Sequence, residues 1–415
     1  MDGEARARSS VPESTAVLSD EEGWIRMPDH YSPRLFLQQI PNGLLREFFT
    51  RRKELTSLDW DALGEADVDP ILDAWHLLPA LQQADIERWF RAISTLATKE
   101  GLRTVIEECQ FHQLELPESF HQIQGIHEKV FWVYLANDKA IFSAGRLNRA
   151  DHLHARYWRR RNDLPAKQPD ISHPTRRLME EAISEYYKKH QSRGAYCTVQ
   201  VYRRREKIHY FFAYPSDYAD TAIIYNDKGV LERQCQQAAF EVIFAYNEST
   251  GILDDFVQGD KNLRRDLEAI FCRLVLKEEL PEEDPKRPPY QLDALRKPEF
   301  DFPTNPQDKI KETRIKSLRL SIVGPGFGRI VFESDSWRKR GDIHDLIKKY
   351  LNHEQAAAVT MSVTQAEMQV TFETVDGPDP VTFRITHPDR CSLKDEPEHL
   401  TIKEYLRRWG IATEA

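Results

Sequence analysis

The residues that could do chemistry are scattered along the chain, and their spacing argues against most of them. His152 and His154 form a His-x-His pair. On one strand face they could share a metal. On a helix they point about 200° apart, and the surrounding segment from Arg149 to Arg161 reads as helical, without the carboxylate or cysteine spacing that would complete a site. No metal site is therefore expected. His127-Glu128 lacks the second histidine of a helical zinc protease. The run Gly324-Pro325-Gly326-Phe327-Gly328 follows a strand, as a phosphate loop would, but Arg329–Glu333 continues as a strand and supplies no helix N-terminus. A hairpin turn is the expected role. Cys197 and His209 could pair as nucleophile and base on adjacent strands, yet no local signature accompanies them. Asp217, Asp220 and Glu241 are the carboxylates a metal-dependent nuclease would recruit. With no acidic-x-Lys strand pattern beside them, loop solvation and turn formation are the ordinary roles of the two aspartates.

The strongest signal is segregated charge. From Arg146 to Lys207 there are 16 Lys and Arg against 7 Asp and Glu, in a chain whose net charge is −9. Tyr157 and Trp158 precede Arg159, Arg160 and Arg161; Arg203, Arg204 and Arg205 sit where two strands turn. With Arg156, Arg176 and Arg177 these make the candidate nucleic-acid-binding set, since clustered cations beside aromatic rings suit a phosphate backbone and its bases. A solvated face, or internal pairing with the acidic remainder, is the competing explanation. Lys188, Lys189 and Arg193 end a helix, where cations favour the dipole anyway.

The elements that must position these residues follow from periodicity. Residues 1–22 read as a polar tail, and 23–165 as a helical domain, with Ile86, Trp89, Phe90, Ile93 and Leu96 on one face. Residues 166–280 switch to period two after a helix over about 175–190. Strands are expected at 197–201, 208–213 and 222–225. The strongest strand puts Phe240, Val242, Phe244 and Tyr246 on one side. A second helix should start near Asp260. Short connections make these strands antiparallel. Seven prolines between Pro281 and Pro306 mark 281–312 as a semi-rigid linker, with Leu292, Leu295, Phe300 and Phe302 strapping it to a neighbour. Residues 313–415 form a C-terminal α+β domain, whose last helix should open on a Thr401–Glu404 capping box, carry Ile402, Tyr405, Leu406 and Trp409 inward, and stop at Gly410. The fold class is α+β: an N-terminal helical region, then two antiparallel-sheet units with helices packed on one face.

Composition bounds the rest. Apolar residues make up 40% of the 415 positions, enough for two or three cores. No run approaches the roughly 18–20 apolar residues of a membrane span, and the N-terminus lacks a signal-peptide core. Five dispersed cysteines without CxxC spacing read as reduced thiols, which places the chain in a bacterial cytoplasm.

The strings FFAYPSDYAD, AAFEVIFAYNESTGILDDFVQGDKNLRRDLEAIF and TIKEYLRRWGI, in the second half of the chain, resemble those of an uncharacterised bacterial family. The resemblance implies a place in variable genomic islands, where anti-phage and mobile-element functions concentrate. It implies no catalytic residue.

The expectation is a cytoplasmic, non-enzymatic nucleic-acid-binding or regulatory component, and the resemblance implies one of an anti-phage system. No cofactor is expected. Its partners are nucleic-acid backbone and a protein within a complex, with no membrane contact. A metal-dependent nuclease with a non-local site and a protein–protein interaction scaffold are the alternatives.

Overall fold

The computed structural model describes residues 31–413, apart from 66, 206, 227–228, 285, 324–327, 335–342, 352–359, 375–376 and 395. The expected polar tail, residues 324–327 of the glycine-rich turn and the start of the strand expected near Val359 lie outside the described residues. Among the described residues, no helix is long and apolar enough to cross a membrane.

Eight helices come first: α1 (Pro33–Leu37), α2 (Asn42–Arg52), α3 (Asp69–His76), α4 (Ala80–Leu96), α5 (Lys99–Phe111), α6 (Glu118–Gln122), α7 (Ile126–Ala136) and α8 (Asp138–His152). Side-chain caps start two of them: the Thr98 hydroxyl accepts from the Gly101 amide, and Asn137 from that of Lys139. The α4 stripe is buried as its spacing requires. Phe90 stacks on Phe36 at 4.6 Å and meets Trp75 edge-on at 5.5 Å. Helix ends at His152, earlier than the sequence suggests. Ala155–Tyr157 make a single 3-10 turn, and Trp158–Arg161 are a strand, β1. The basic run thus belongs to a sheet.

That sheet joins β1 to β2 (Cys197–Arg204), β3 (Ile208–Tyr225), β4 (Leu231–Ala239), β5 (Val242–Asn247) and β6 (Leu253–Phe256) in the antiparallel order β1-β6-β5-β3-β2, with β4 paired to β3 alone. The strands expected at 208–213 and 222–225 are one strand of 18 residues, broken only by a bulge between Ser216 and Ala219. Its far end pairs with β4, a fully exposed strand that the sequence did not announce. Helices α9 (His173–Gln191) and α10 (Lys261–Phe271) cover one face, where Phe211, Val242, Phe244 and Tyr246 meet Ile183, Leu267 and Phe271. On the other face Tyr210, Phe212, Ile243 and Phe256 pack against Leu147 and Ala150 of α8.

The C-terminal sheet has the order β11-β10-β9-β7-β8, formed by β7 (Ile310–Val323), β8 (Gly328–Glu333), β9 (Thr360–Thr374), β10 (Gly377–Thr386) and β11 (Arg390–Cys391). Among the described residues two helices accompany it, α11 (Ile343–Tyr350) and α12 (Pro397–Arg408). α12 begins a turn before the expected capping box. Pro397 occupies the first turn, and the Thr401 hydroxyl, inside the helix, donates to the Pro397 carbonyl. The helix ends at Arg408, and Gly410 just beyond its C-cap Trp409 turns the chain at φ 70°. The proline-rich segment is strapped into this core. Tyr290, Leu292 and Leu295 are buried with Ile402, Tyr405 and Trp409, and the Gln291 amide donates to the Ile411 carbonyl at 2.8 Å.

Candidate functional site

β1 is an edge strand, and its neighbour β6 reads Leu253-Asp254-Asp255-Phe256. Their register sets Arg160 opposite Asp254 and Arg159 opposite Asp255. Oppositely charged residues directly across a ladder attract, so the basic run finds its counter-charges in the adjacent strand. Arg160 grips Asp254 with both arms of its fork, at 2.7 and 2.6 Å. Its guanidinium lies 5.9 Å from the Tyr290 ring, and its amide donates to the Asp389 carbonyl at 2.9 Å. That last bond carries β1 across to the C-terminal unit.

Alternation sends Arg159 and Arg161 to the opposite face. Arg159 comes within 3.3 Å of the Asp389 carboxylate. Burial, only partly offset by Asp389, brings its guanidinium down to about 10. Arg161 is 5% exposed and saturated: it donates to Asp163, to Glu268 at 2.8 Å and to the Pro281 carbonyl. Asp255 is fully buried beside Arg264 at 2.8 Å, and burial raises its carboxyl well above the usual range despite that partner.

The other basic residues divide between interior and surface. Arg204 is 2% exposed, 3.0 Å from Asp151 of α8 and 3.5 Å from Glu107 of α5, and Arg205 donates to Glu107 at 2.6 Å. This pair fastens the helical region to the middle sheet. Arg156 is exposed against the Tyr157 ring. Arg177 is exposed, 4.0 Å from Glu181, while Arg176 is half-buried. Arg203 is exposed, 3.9 Å from Glu248. Tyr157 and Trp158 pack on Phe256 at 5.9 and 5.6 Å. The expectation of one outward basic surface is therefore corrected for Arg160, Arg161 and Arg204. Their charge is paired with carboxylates, the buried Glu268 and the partly exposed Asp254, Asp163, Asp151 and Glu107, because an unpaired interior cation is too costly to retain.

Where β1 meets β11, a cavity of about 200 Å³ opens between the sheets. Trp158, Tyr210 and Tyr290 give it aromatic walls. Arg159, Arg160, Lys394 and Lys403 line it, against Asp151, Asp254 and Asp389. His399 lies beside the two lysines. Burial, reinforced by Lys394 and Lys403, pulls its imidazole down to about 4. The Cys391 thiol at the wall is pushed up by burial.

The remaining candidates do not assemble. Cys197 pairs with Pro215 and His209 with Arg203, six ladder positions apart, so roughly 20 Å separates them. Asp217 is held by Arg193 at 2.8 Å, and Glu241 by Arg149 at 2.8 Å. His152 Nδ1 is bonded to the Asn148 carbonyl. Among the described residues, no group of three or more His, Cys, Asp or Glu side chains is arranged to hold a metal ion. The residues that sequence reasoning missed are Asp254, Asp389, Tyr290, Lys394 and Lys403. Asp254-Asp255 carried a readable signal, because two acids between apolar neighbours in a core strand demand buried cations. No known protein family, curated protein or solved structure matches this chain.

Proposed function

We propose that the chain is a non-enzymatic regulatory component that takes a small anionic ligand into the cavity between its two sheets. The observation that carries this reading is the cavity itself: aromatic walls, a positive side formed by Lys394 and Lys403, and a position where occupancy bears on the contact between β1 and β11. Concave sites with apolar walls and a few convergent polar groups are where small molecules bind. A mononucleotide or a compact phosphate fits this chemistry.

Calorimetric titration tests it with adenosine monophosphate, pyrophosphate and, as the uncharged control, adenosine. Binding of either anion, weakened at least about tenfold in a Lys394→Gln, Lys403→Gln variant of unchanged melting temperature, is the expected result. Equal heats for adenosine and the anions would overturn it.

A second reading, nucleic-acid backbone binding, is favoured by the exposed side chains of Arg156, Arg177 and Arg203. Three phosphate contacts give a salt slope of about −2.7 on duplex. Filter binding in low salt measures it. Binding independent of salt would count against this second reading.

A further inference from the structure

Residues 219–225 of β3 run beyond the rest of the sheet and pair only with β4, and every residue of β4 is exposed. The result is a two-stranded arm with both faces in solvent. On one face lie Ile223, Tyr225 and Leu231, exposed by 62%, 72% and 57%. Such a ribbon is marginal by itself in water, and its outer edge presents unpaired backbone donors and acceptors. Proteins usually blunt such an edge with Lys, Pro, a bulge or brevity. β4 has nine residues, Leu231-Glu232-Arg233-Gln234-Cys235-Gln236-Gln237-Ala238-Ala239, with no Lys and no Pro. Its charges are confined to one end.

We propose that β4 is a self-pairing edge, through which two copies of this chain join their arms into one four-stranded antiparallel sheet. The inference stands independently of the cavity. Its occupant follows from self-complementarity. A twofold axis perpendicular to the ribbon keeps each side chain on its own face, so a residue can oppose only residues of the same parity. Centred on Cys235, the pairing sets Cys235 opposite Cys235 of the second copy. Gln234 then meets Gln236, Arg233 meets Gln237, Glu232 meets Ala238 and Leu231 meets Ala239. No like charges meet in this register. A slip of four residues would bring Arg233 onto its own copy, so the charged end disfavours pairing centred there. The contact is roughly 30 Å long and one ribbon wide. That places it at the low end of interface areas, where weak, reversible association is expected.

Sedimentation equilibrium of the full chain, with a thiol-to-thiol bismaleimide linker as probe, tests the proposal. The wild type should show a concentration-dependent monomer–dimer equilibrium, and the linker should join copies at Cys235, a product lost in Cys235→Ser. Cys235→Lys sets two ammonium groups face to face and should weaken association several-fold, as should Cys235→Glu. An equimolar mixture of these two variants should restore the dimer. Because position 235 lies in the arm, outside every hydrophobic core, melting temperatures should stay within about 2 °C of the wild type. A monomer at all concentrations up to about 100 µM overturns the proposal. So does a dimer whose strength is the same in Cys235→Lys, in Cys235→Glu and in their mixture.

Discussion

Arg161 and its partners show what the basic run costs and what it holds. The side chain is 5% exposed and that of Glu268 4%, so removing the cation strands a carboxylate in the interior. Arg161→Met should destabilise the protein by roughly 3–5 kcal/mol, measured by urea denaturation, and adding Glu268→Leu should recover much of the loss. An effect below about 1 kcal/mol would mean the pair is solvated. A second buried acid sets a pH dependence. Burial, opposed by Arg204, raises the Glu108 carboxyl from 4.5 to about 7. The folded chain thus holds this proton more tightly than the unfolded chain does. Its contribution to stability falls as pH rises from about 4.5 to 7, and the penalty is complete above that. Glu108→Gln should match the wild type at pH 5 and exceed it by roughly 1–3 kcal/mol at pH 8; equal curves at both pH values would contradict the assignment. At this scale the sequence misled for a definite reason. Counting charge along the chain finds Arg159–Arg161 but not their partners, and Arg160 meets a carboxylate 94 positions away.

Elements were legible where one face is apolar and the other wet. The α12 stripe repeats at helical spacing, and the structure buries Ile402, Tyr405, Leu406 and Trp409 together. Trp409 stacks edge-on against Phe302 at 5.0 Å and donates its indole N–H to the Pro303 carbonyl at 3.0 Å. Trp409→Ala should cost roughly 3–5 kcal/mol, visible as a shift in denaturant midpoint at constant slope; an unshifted midpoint would place the ring outside the core. β1 was illegible because four residues of Trp-Arg-Arg-Arg offer no alternation, and its burial depends on acids in another strand. β4 was illegible because a strand exposed on both faces needs no apolar residues, so period two never appears in Gln234–Ala239.

For the whole molecule, the arrangement of helical region, middle sheet and C-terminal sheet follows from buried ion pairs and from the proline-rich segment. Tyr290, Leu292 and Leu295 belong to the C-terminal core, and Tyr290 forms a bridge with Ala412. We therefore place the start of a C-terminal folding unit before Tyr290. A fragment of residues 282–415 should give a cooperative thermal transition, while 313–415, stripped of three core side chains at about 2–5 kcal/mol each, should not. Two cooperative transitions of equal midpoint would refute this. The candidate site was the least legible part, because its walls come from residues as far apart as Asp151, Asp254, Tyr290 and Lys403, and no local spacing encodes their meeting.

The central claim is that Arg159 and Arg160 line a cavity between the two sheets that takes an anion, with Arg161 buried behind them. Amide hydrogen exchange over residues 158–161 and 389–394, with and without saturating pyrophosphate, tests it most directly. The Arg160 amide, bonded to the Asp389 carbonyl at 2.9 Å, should exchange slowly in the free protein and more slowly still with the anion bound. Rapid exchange throughout 158–161, or protection that pyrophosphate leaves unchanged while it binds elsewhere, would contradict the account.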